Sequence, residues 1–360
     1  MRNRKYRKRK EILPISDISI SAWPEQNFLF AILSGIPTGY DWLMNTHIQL
    51  RGSHYIHYAG GNIDSSVTFY PYSMHNLTPN MYDLCPFIEK YTLPKELVLS
   101  DFCSFHEFAI FALLSGYYIS TYMDQYFRTD ISGIGYHHPN FVYGFDDETK
   151  ELYLADNFEN NKYGYKKISY QQADKAFELV NGNSWEVSVF LYRIKEYRHT
   201  FHPEYVREQI VDYLNPGRGL CYLDRTVCMN PHHNDDEYLN EVYYGIECYE
   251  LIQKYLTGIK NKDENFIDGD WRSFSMLRDH KQIMLERYDF MTSHGYSAEN
   301  DSLRAAFVQQ VKDCEVMLNM FIKYNITGDN AIIDRLSCRL SECLENDKKN
   351  LGEFLDTIRI

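Results

Sequence analysis

The first 84 residues of this 360-residue chain contain no cysteine. That excludes a thiol nucleophile from any helix formed there. No run of 18 apolar residues occurs, so no membrane-spanning helix is expected. The N-terminus is basic, yet no apolar stretch follows it, and a secretory signal is not expected. Neither standard glycine-rich phosphate-loop pattern is present, and Asp268-Gly269-Asp270 reads as an ordinary turn. The eight cysteines (Cys85, Cys103, Cys221, Cys228, Cys248, Cys314, Cys338 and Cys343) are too scattered for a disulfide framework in a chain this long. Reduced thiols in a cytoplasmic protein are the simplest account. Neither a cofactor nor a metal is expected.

What is present is ordinary for a globular protein: 44% hydrophobic and 24% charged residues, with length enough for two domains. The charge is unevenly spread. MRNRKYRKRK opens the chain with seven basic residues and no acidic one, so a net charge of −13 leaves −20 on the rest. A disordered basic arm over residues 1–14 on an acidic body is expected. Such an arm can meet an acidic partner, an anionic membrane surface or RNA, or none of these. The acidic body itself argues against nucleic-acid binding there.

Residues 15–198 read as mixed α/β. PEQNFLFAILSGI has proline in its first turn and glycine at its end, which predicts a short buried helix from Pro24 towards Gly35. HIQLRG, HYIHYAGG and SSVTFYPY predict short strands. SFHEFAIFALLSG predicts a helix over Ser104–Gly116, and YYISTYM a buried strand. Ser169 caps a further helix, and WEVSVFLYRI alternates as a final strand. After His199 only helices are expected. Leu239, Val242, Tyr243, Ile246, Tyr249 and Ile252 fall at helical spacing, as do Leu303, Phe307, Val311, Cys314, Leu318 and Phe321. Residues 199–360 are therefore expected to form a helical domain.

The chemistry concentrates in HHPNFVYGFDDETKELYLADNF, His137–Phe158. Val142–Phe145, a charged turn over Asp146–Lys150 and Glu151–Ala155 predict a hairpin. Folding about that turn brings His138 beside Asp156 at one end of the sheet. A carboxylate beside an imidazole fixes its tautomer and stabilises the imidazolium, as a thiol-activating base requires. His137 is an equal candidate on spacing, and a loop histidine near a capping aspartate is the plainer reading.

This stretch, with ISYQQADKAFE after it and EFAIFALLSGYYISTYMDQYF before it, resembles the papain-like peptidases that cleave double-glycine leaders. It resembles still more the group typified by the N-terminal domain of butirosin biosynthesis protein H. The likeness covers most of residues 20–195 and extends weakly to SFSMLRDHKQIMLERYDFM. It implies a papain-like α+β fold followed by an all-helical region. It also implies chemistry on acyl groups, often aminoacyl or peptidyl thioesters on a carrier protein. His138, six residues before Gly144, then matches the family's base, and Asp156 its orienting acid.

The family's cysteine opens the first buried helix. Here that column falls on Asn27 or Phe28, neither of which attacks an acyl carbon, while Gln26 is a weak match to an oxyanion donor. Three explanations stay open. Catalysis is lost and the cleft, with Gln26, Asn27 and Phe28, binds substrate. Cys103 or Cys85 substitutes. Or a serine such as Ser21 or Ser34 serves. Cys103 stands just before a predicted helix with His106 three residues on, although a small buried cysteine is the commoner role.

CYLDRTVCMNPHHNDDE offers Cys221, Cys228, His232 and His233, then Asp235 and Asp236. The spacing fits no common zinc module, and a polar loop is the expected reading. The leading expectation is an accessory protein of peptide or aminoacyl natural-product assembly, binding an acyl or peptidyl carrier protein or a peptide in a degenerate cleft. The alternatives are an acyltransferase using His138 with an unusual or absent protein nucleophile, and a binding protein unrelated to acyl chemistry.

Overall fold

The computed structural model describes residues 8–57, 62–70, 81–159, 162–182, 186–216, 242–263, 266 and 269–360. In chain order the elements begin β1 (Lys10–Ile12), α1 (Pro24–Leu33), α2 (Pro37–Asn45), β2 (Leu50–His57), β3 (Asn62–Phe69), α3 (Met81–Leu84) and β4 (Ile88–Pro94). Next come α4 (Lys95–Asp101), α5 (Phe105–Leu114), β5 (Tyr118–Asp124), β6 (His137–Asp146), β7 (Glu151–Asn157), β8 (Tyr163–Ser169), α6 (Tyr170–Leu179) and β9 (Ser188–Ile194). The remainder is α7 (Pro203–Leu214), β10 (Val242–Tyr244), α8 (Cys248–Lys260), α9 (Arg272–Ser293), α10 (Asp301–Thr327) and α11 (Asn330–Thr357). The fold is mixed α+β with antiparallel sheets and a helical C-terminal region. It divides into two compact units, one of residues 1–40 with 82–198, the other of residues 41–81 with 199–360.

The first unit is built on a seven-stranded antiparallel sheet in the order β4-β9-β5-β6-β7-β8, with β1 also paired to β6. β5 is buried almost throughout, as a central strand covered on both faces must be. Neighbouring residues on β6 point to opposite faces. Phe141 stacks on Phe28 of α1 at 4.8 Å, while Val142 joins the core with Phe105, Phe108 and Phe177 from α5 and α6. α1 carries Pro24 in its first turn and buries nine of its ten residues. Its apolar side chains therefore belong to the core, each worth about 1.5–3 kcal/mol of burial. α6 starts with a full capping box, Ser169 with Gln172.

β6 serves two neighbours along one edge. β5 pairs with His137–Val142, and β1 pairs with Gly144–Asp146. The changeover coincides with a bulge between Val142 and Gly144 in the pairing with β7. A Cβ on Gly144 would lie 2.9 Å from the Glu11 carbonyl oxygen and 3.2 Å from Ile12 Cα, so glycine is required where β1 docks. The expected disordered arm is thereby corrected in part. Residues 10–12 are a strand, closed by Leu13 N–H to the Tyr143 carbonyl at 2.8 Å, and Lys10 pairs with Asp146. Residues 1–7 lie outside the described residues.

The second unit corrects two further expectations. From Val242 onward the helix expected across residues 239–252 is instead β10, a 3₁₀ turn at Gly245–Glu247 and only then α8. Gly245 has φ +51° and a Cβ there would lie 2.3 Å from the Tyr213 carbonyl oxygen, so a regular helix does not pass through it. Nor is the region helix alone, since β10 pairs with β2 and β2 with β3 in a three-stranded sheet. HIQLRG and HYIHYAGG, expected as separate strands, both contribute to β2.

The core of this unit contains charge. Lys281 Nζ lies 2.6 Å from Asp347 Oδ2, both side chains about 1% exposed. Tyr213 donates to the same carboxylate oxygen at 2.8 Å and Tyr249 at 3.3 Å. Arg287, also fully buried, donates to the carbonyls of Met44, Thr46 and His47, satisfying the end of α2.

Two substitutions test these contacts. Gly144→Ala is expected to cost about 1–3 kcal/mol by crowding β1, with faster amide exchange at Leu13. Unchanged exchange and melting temperature would remove β1 from the fold's support. Asp347→Asn strands a buried ammonium and is expected to cost about 3–5 kcal/mol in urea unfolding. A loss under 1 kcal/mol would mean that water reaches the pair.

Candidate functional site

Of the two adjacent histidines, His138 is the one that meets Asp156, Nδ1 to Oδ2 at 2.7 Å. His137 turns instead towards Glu186, 3.7 Å away. The hairpin delivers this contact because the Phe141–Ala155 pair sets the register, leaving His138 and Asp156 at the same end of β6 and β7. Asp156 is fully buried, whereas His138 keeps one fifth of its side chain open. With Nδ1 committed to the carboxylate, Nε2 is the ring nitrogen left for other chemistry. No hydrogen bond at Nε2 joins it to any described residue. Tyr136 stacks alongside the ring at 6.0 Å.

The electrostatics follow from burial. Burial disfavours the imidazolium, but the Asp156 carboxylate beside it, helped by Glu25, outweighs that and holds the His138 pKa above its ordinary value. Burial likewise pushes the Asp156 carboxyl up, partly offset by His138 and by the Asn157 N–H. Both directions describe one proton kept within a buried pair.

Asn157 links this pair to α1. Its N–H donates to Asp156 Oδ1 at 2.7 Å, and its side-chain amide donates to the Ser21 carbonyl at 2.7 Å. Asn157 Oδ1 therefore faces Asn27, whose Nδ2 donates to it at 3.1 Å. Arg128, whose side chain is 3% exposed, clamps the same strand end by donating to the carbonyls of Asn157 and Phe158. Neither Asn157 nor Arg128 was singled out in the sequence, and only the neighbourhood of Asp156 in ADNF hinted at the first.

The other sequence candidates sit as follows. Gln26 and Asn27 are buried in α1. Phe28 is fully buried against Phe141, so it packs the interior rather than lining a cleft. The helix begins at Pro24, and a nucleophile activated by its N-terminus would stand near Ala22 or Trp23, one turn ahead of the expected column. Ser21 is tied to this end through Asn157, while Ser34 caps the opposite end of α1.

Cys85 is buried, and burial pushes its thiol up to about 12, so it stays protonated. Cys103 is exposed, and no hydrogen bond among the described residues joins it to His138. Its neighbour His106 belongs to a local helix cap. Nδ1 meets both Asp174 Oδ2 at 2.7 Å and Ser104 Oγ at 3.0 Å. A relay needs the two partners on opposite ring nitrogens, so this trio is not one.

The cysteine–histidine stretch from Cys221 to His233 lies outside the described residues. Among the described residues no group of three or more His, Cys, Asp or Glu could hold a metal ion. No single described helix is long and apolar enough to cross a membrane. The bent pair α4–α5 is apolar enough when taken together, but six residues of α5 belong to the core. No protein-family model matches the chain, and no curated protein matches it.

The pair makes stability depend on pH. A histidine whose folded pKa exceeds its unfolded value of about 6.5 adds stability that is complete below that value and lost as pH rises through the folded one. The stability gap between wild type and His138→Gln should therefore be widest at and below about pH 6 and shrink as pH rises above the unfolded value, read by urea unfolding. A gap that widens with rising pH would put the proton elsewhere.

Proposed function

We propose that the first unit is a papain-like domain of the butirosin protein H type that has dispensed with its cysteine. On this reading it handles aminoacyl or peptidyl thioesters carried by a partner protein in the cytoplasm, in natural-product assembly. His138 acts as general base for an amine that attacks the thioester directly. The observation that carries this reading is the His138–Asp156 contact, 2.7 Å long, with Nε2 uncommitted. A pair kept only for packing has no need of an open imidazole edge.

In the step, the amine nitrogen bonds to the thioester carbon while Nε2 takes the amine's proton. The carbon–sulfur bond breaks, and the carrier thiolate leaves and is reprotonated. Asp156 stabilises the imidazolium formed on the way. No protein thiol enters, which fits an α1 start whose residues Ser21, Ala22 and Trp23 include no cysteine. The basic opening of the chain has the sign to attract an acidic carrier.

A second reading is supported by the closed packing of Asn27 on Asn157 and of Phe28 on Phe141. The site then binds the acyl group or a peptide without reacting.

The experiment is intact-protein mass and product analysis with a panel of acyl and aminoacyl thioesters plus an added amine. Transfer without any protein adduct is expected, falling at least about 100-fold in His138→Ala. The rate should rise with pH through the His138 pKa, because only the neutral ring accepts a proton. An adduct on Ser21 or Cys103 would overturn the direct-attack step. Binding without turnover would select the second reading.

A further inference from the structure

The second unit holds two thiols in its core that the proposed chemistry does not use. Cys314 on α10 and Cys343 on α11 face each other across the helical hairpin, Sγ to Sγ 3.8 Å, 29 positions apart in sequence. Both are buried, and four further groups surround them. Tyr249 Oη is 3.5 Å from Cys343 Sγ and also donates to Asp347. Lys281, paired with Asp347, adds positive charge to the same pocket of side chains. Gln310, one helical turn before Cys314, donates to Asp347 Oδ1 at 3.4 Å.

The two sulfurs are not equivalent. The hydrogen bond with Cys314, and then Lys281, hold the Cys343 thiol below its ordinary pKa against burial and the Asp347 carboxylate, while the same hydrogen bond and burial push Cys314 up. Two thiols in contact, one more readily deprotonated than the other, are the arrangement in which one sulfur attacks an oxidant and the other resolves the product.

We propose that Cys314 and Cys343 form a peroxide-responsive dithiol that closes to a disulfide and fastens α10 to α11. Hydrogen peroxide is the oxidant proposed, because the two cysteines are only 1% and 3% exposed and a small uncharged molecule needs the least opening of the packing to reach them. In the first step Cys343 sulfur bonds to a peroxide oxygen, the oxygen–oxygen bond breaks and hydroxide leaves. Cys314 sulfur then bonds to Cys343 sulfur, the sulfur–oxygen bond breaks and a second hydroxide leaves. The two thiol protons convert these to water, and the pair has given two electrons to the peroxide.

The test treats the full-length protein with hydrogen peroxide and maps its peptides under non-reducing conditions. The expected result is a linked Cys314–Cys343 peptide, lighter by two hydrogens, that dithiothreitol removes. The melting temperature should rise by about 5 °C on oxidation and return on reduction. Cys338, exposed on the same helix, should stay out of the link. The wild-type chain decides the question, so a Cys343→Ser variant that fails to fold does no harm. Where it folds, it should lose both the link and the shift. Cys343 found as sulfinic acid beside a free Cys314 overturns the proposal, as do two unreacted thiols in a protein whose exposed cysteines are oxidised.

Discussion

A single irregularity in β6 sets the terms for the first unit. Up to Val142 the strand runs in register with β5, and β7 follows it closely enough to put Asp156 beside His138. Beyond the bulge the same edge is handed to β1, and Gly144 is the residue small enough to permit the handover. Without the extra residue, the two halves of β6 would have to satisfy their neighbours with one phase of alternation. A one-residue slip would turn the imidazole to the opposite face from its carboxylate. The site thus depends on a backbone defect several residues away from it.

Much of this was readable in order of residues. Pro24 and Gly35 bracket α1, Ser169 caps α6, and the charged turn at Asp146–Lys150 folds the hairpin that brings two chemistry-bearing residues together. These are local rules, decided by a few neighbouring side chains. What was not legible depended on distant partners. β1 reads as a basic tail because only Gly144, more than a hundred residues away, makes a place for it. Residues 242–244 carry the spacing of a helix, yet Gly245 has no room to continue one against Tyr213, and the segment pairs with β2 instead. Asn157 and Arg128 act through backbone carbonyls and amide hydrogens, which leave no pattern in a list of side chains.

The two units solve the burial of charge differently. In the first, the imidazole keeps one edge open, so its proton can exchange with a ligand or with water. In the second, Lys281 and Asp347 are sealed with Tyr213 and Tyr249 around them, and every nearby group is drawn into their field. Such a network adds little net stability over a well-packed apolar core, but it tolerates few alternative packings. Its helices consequently have one preferred alignment, and that alignment is what brings the two sulfurs on α10 and α11 face to face.

The assignment of residues 41–81 to the second unit also bears on how the chain acquires its shape during synthesis. The hairpin of β2 and β3 is made early, but β10, which completes its sheet, follows about 170 residues later. Arg287, which secures the end of α2, comes later still. Each piece of the second unit that leaves the ribosome first must wait, while residues 82–198 of the first unit are translated in between. An interruption of translation near residue 198 would leave that hairpin exposed with no strand or helix to cover it. The protein's most vulnerable moment is therefore set by the order of its message rather than by the strength of any contact in the finished fold.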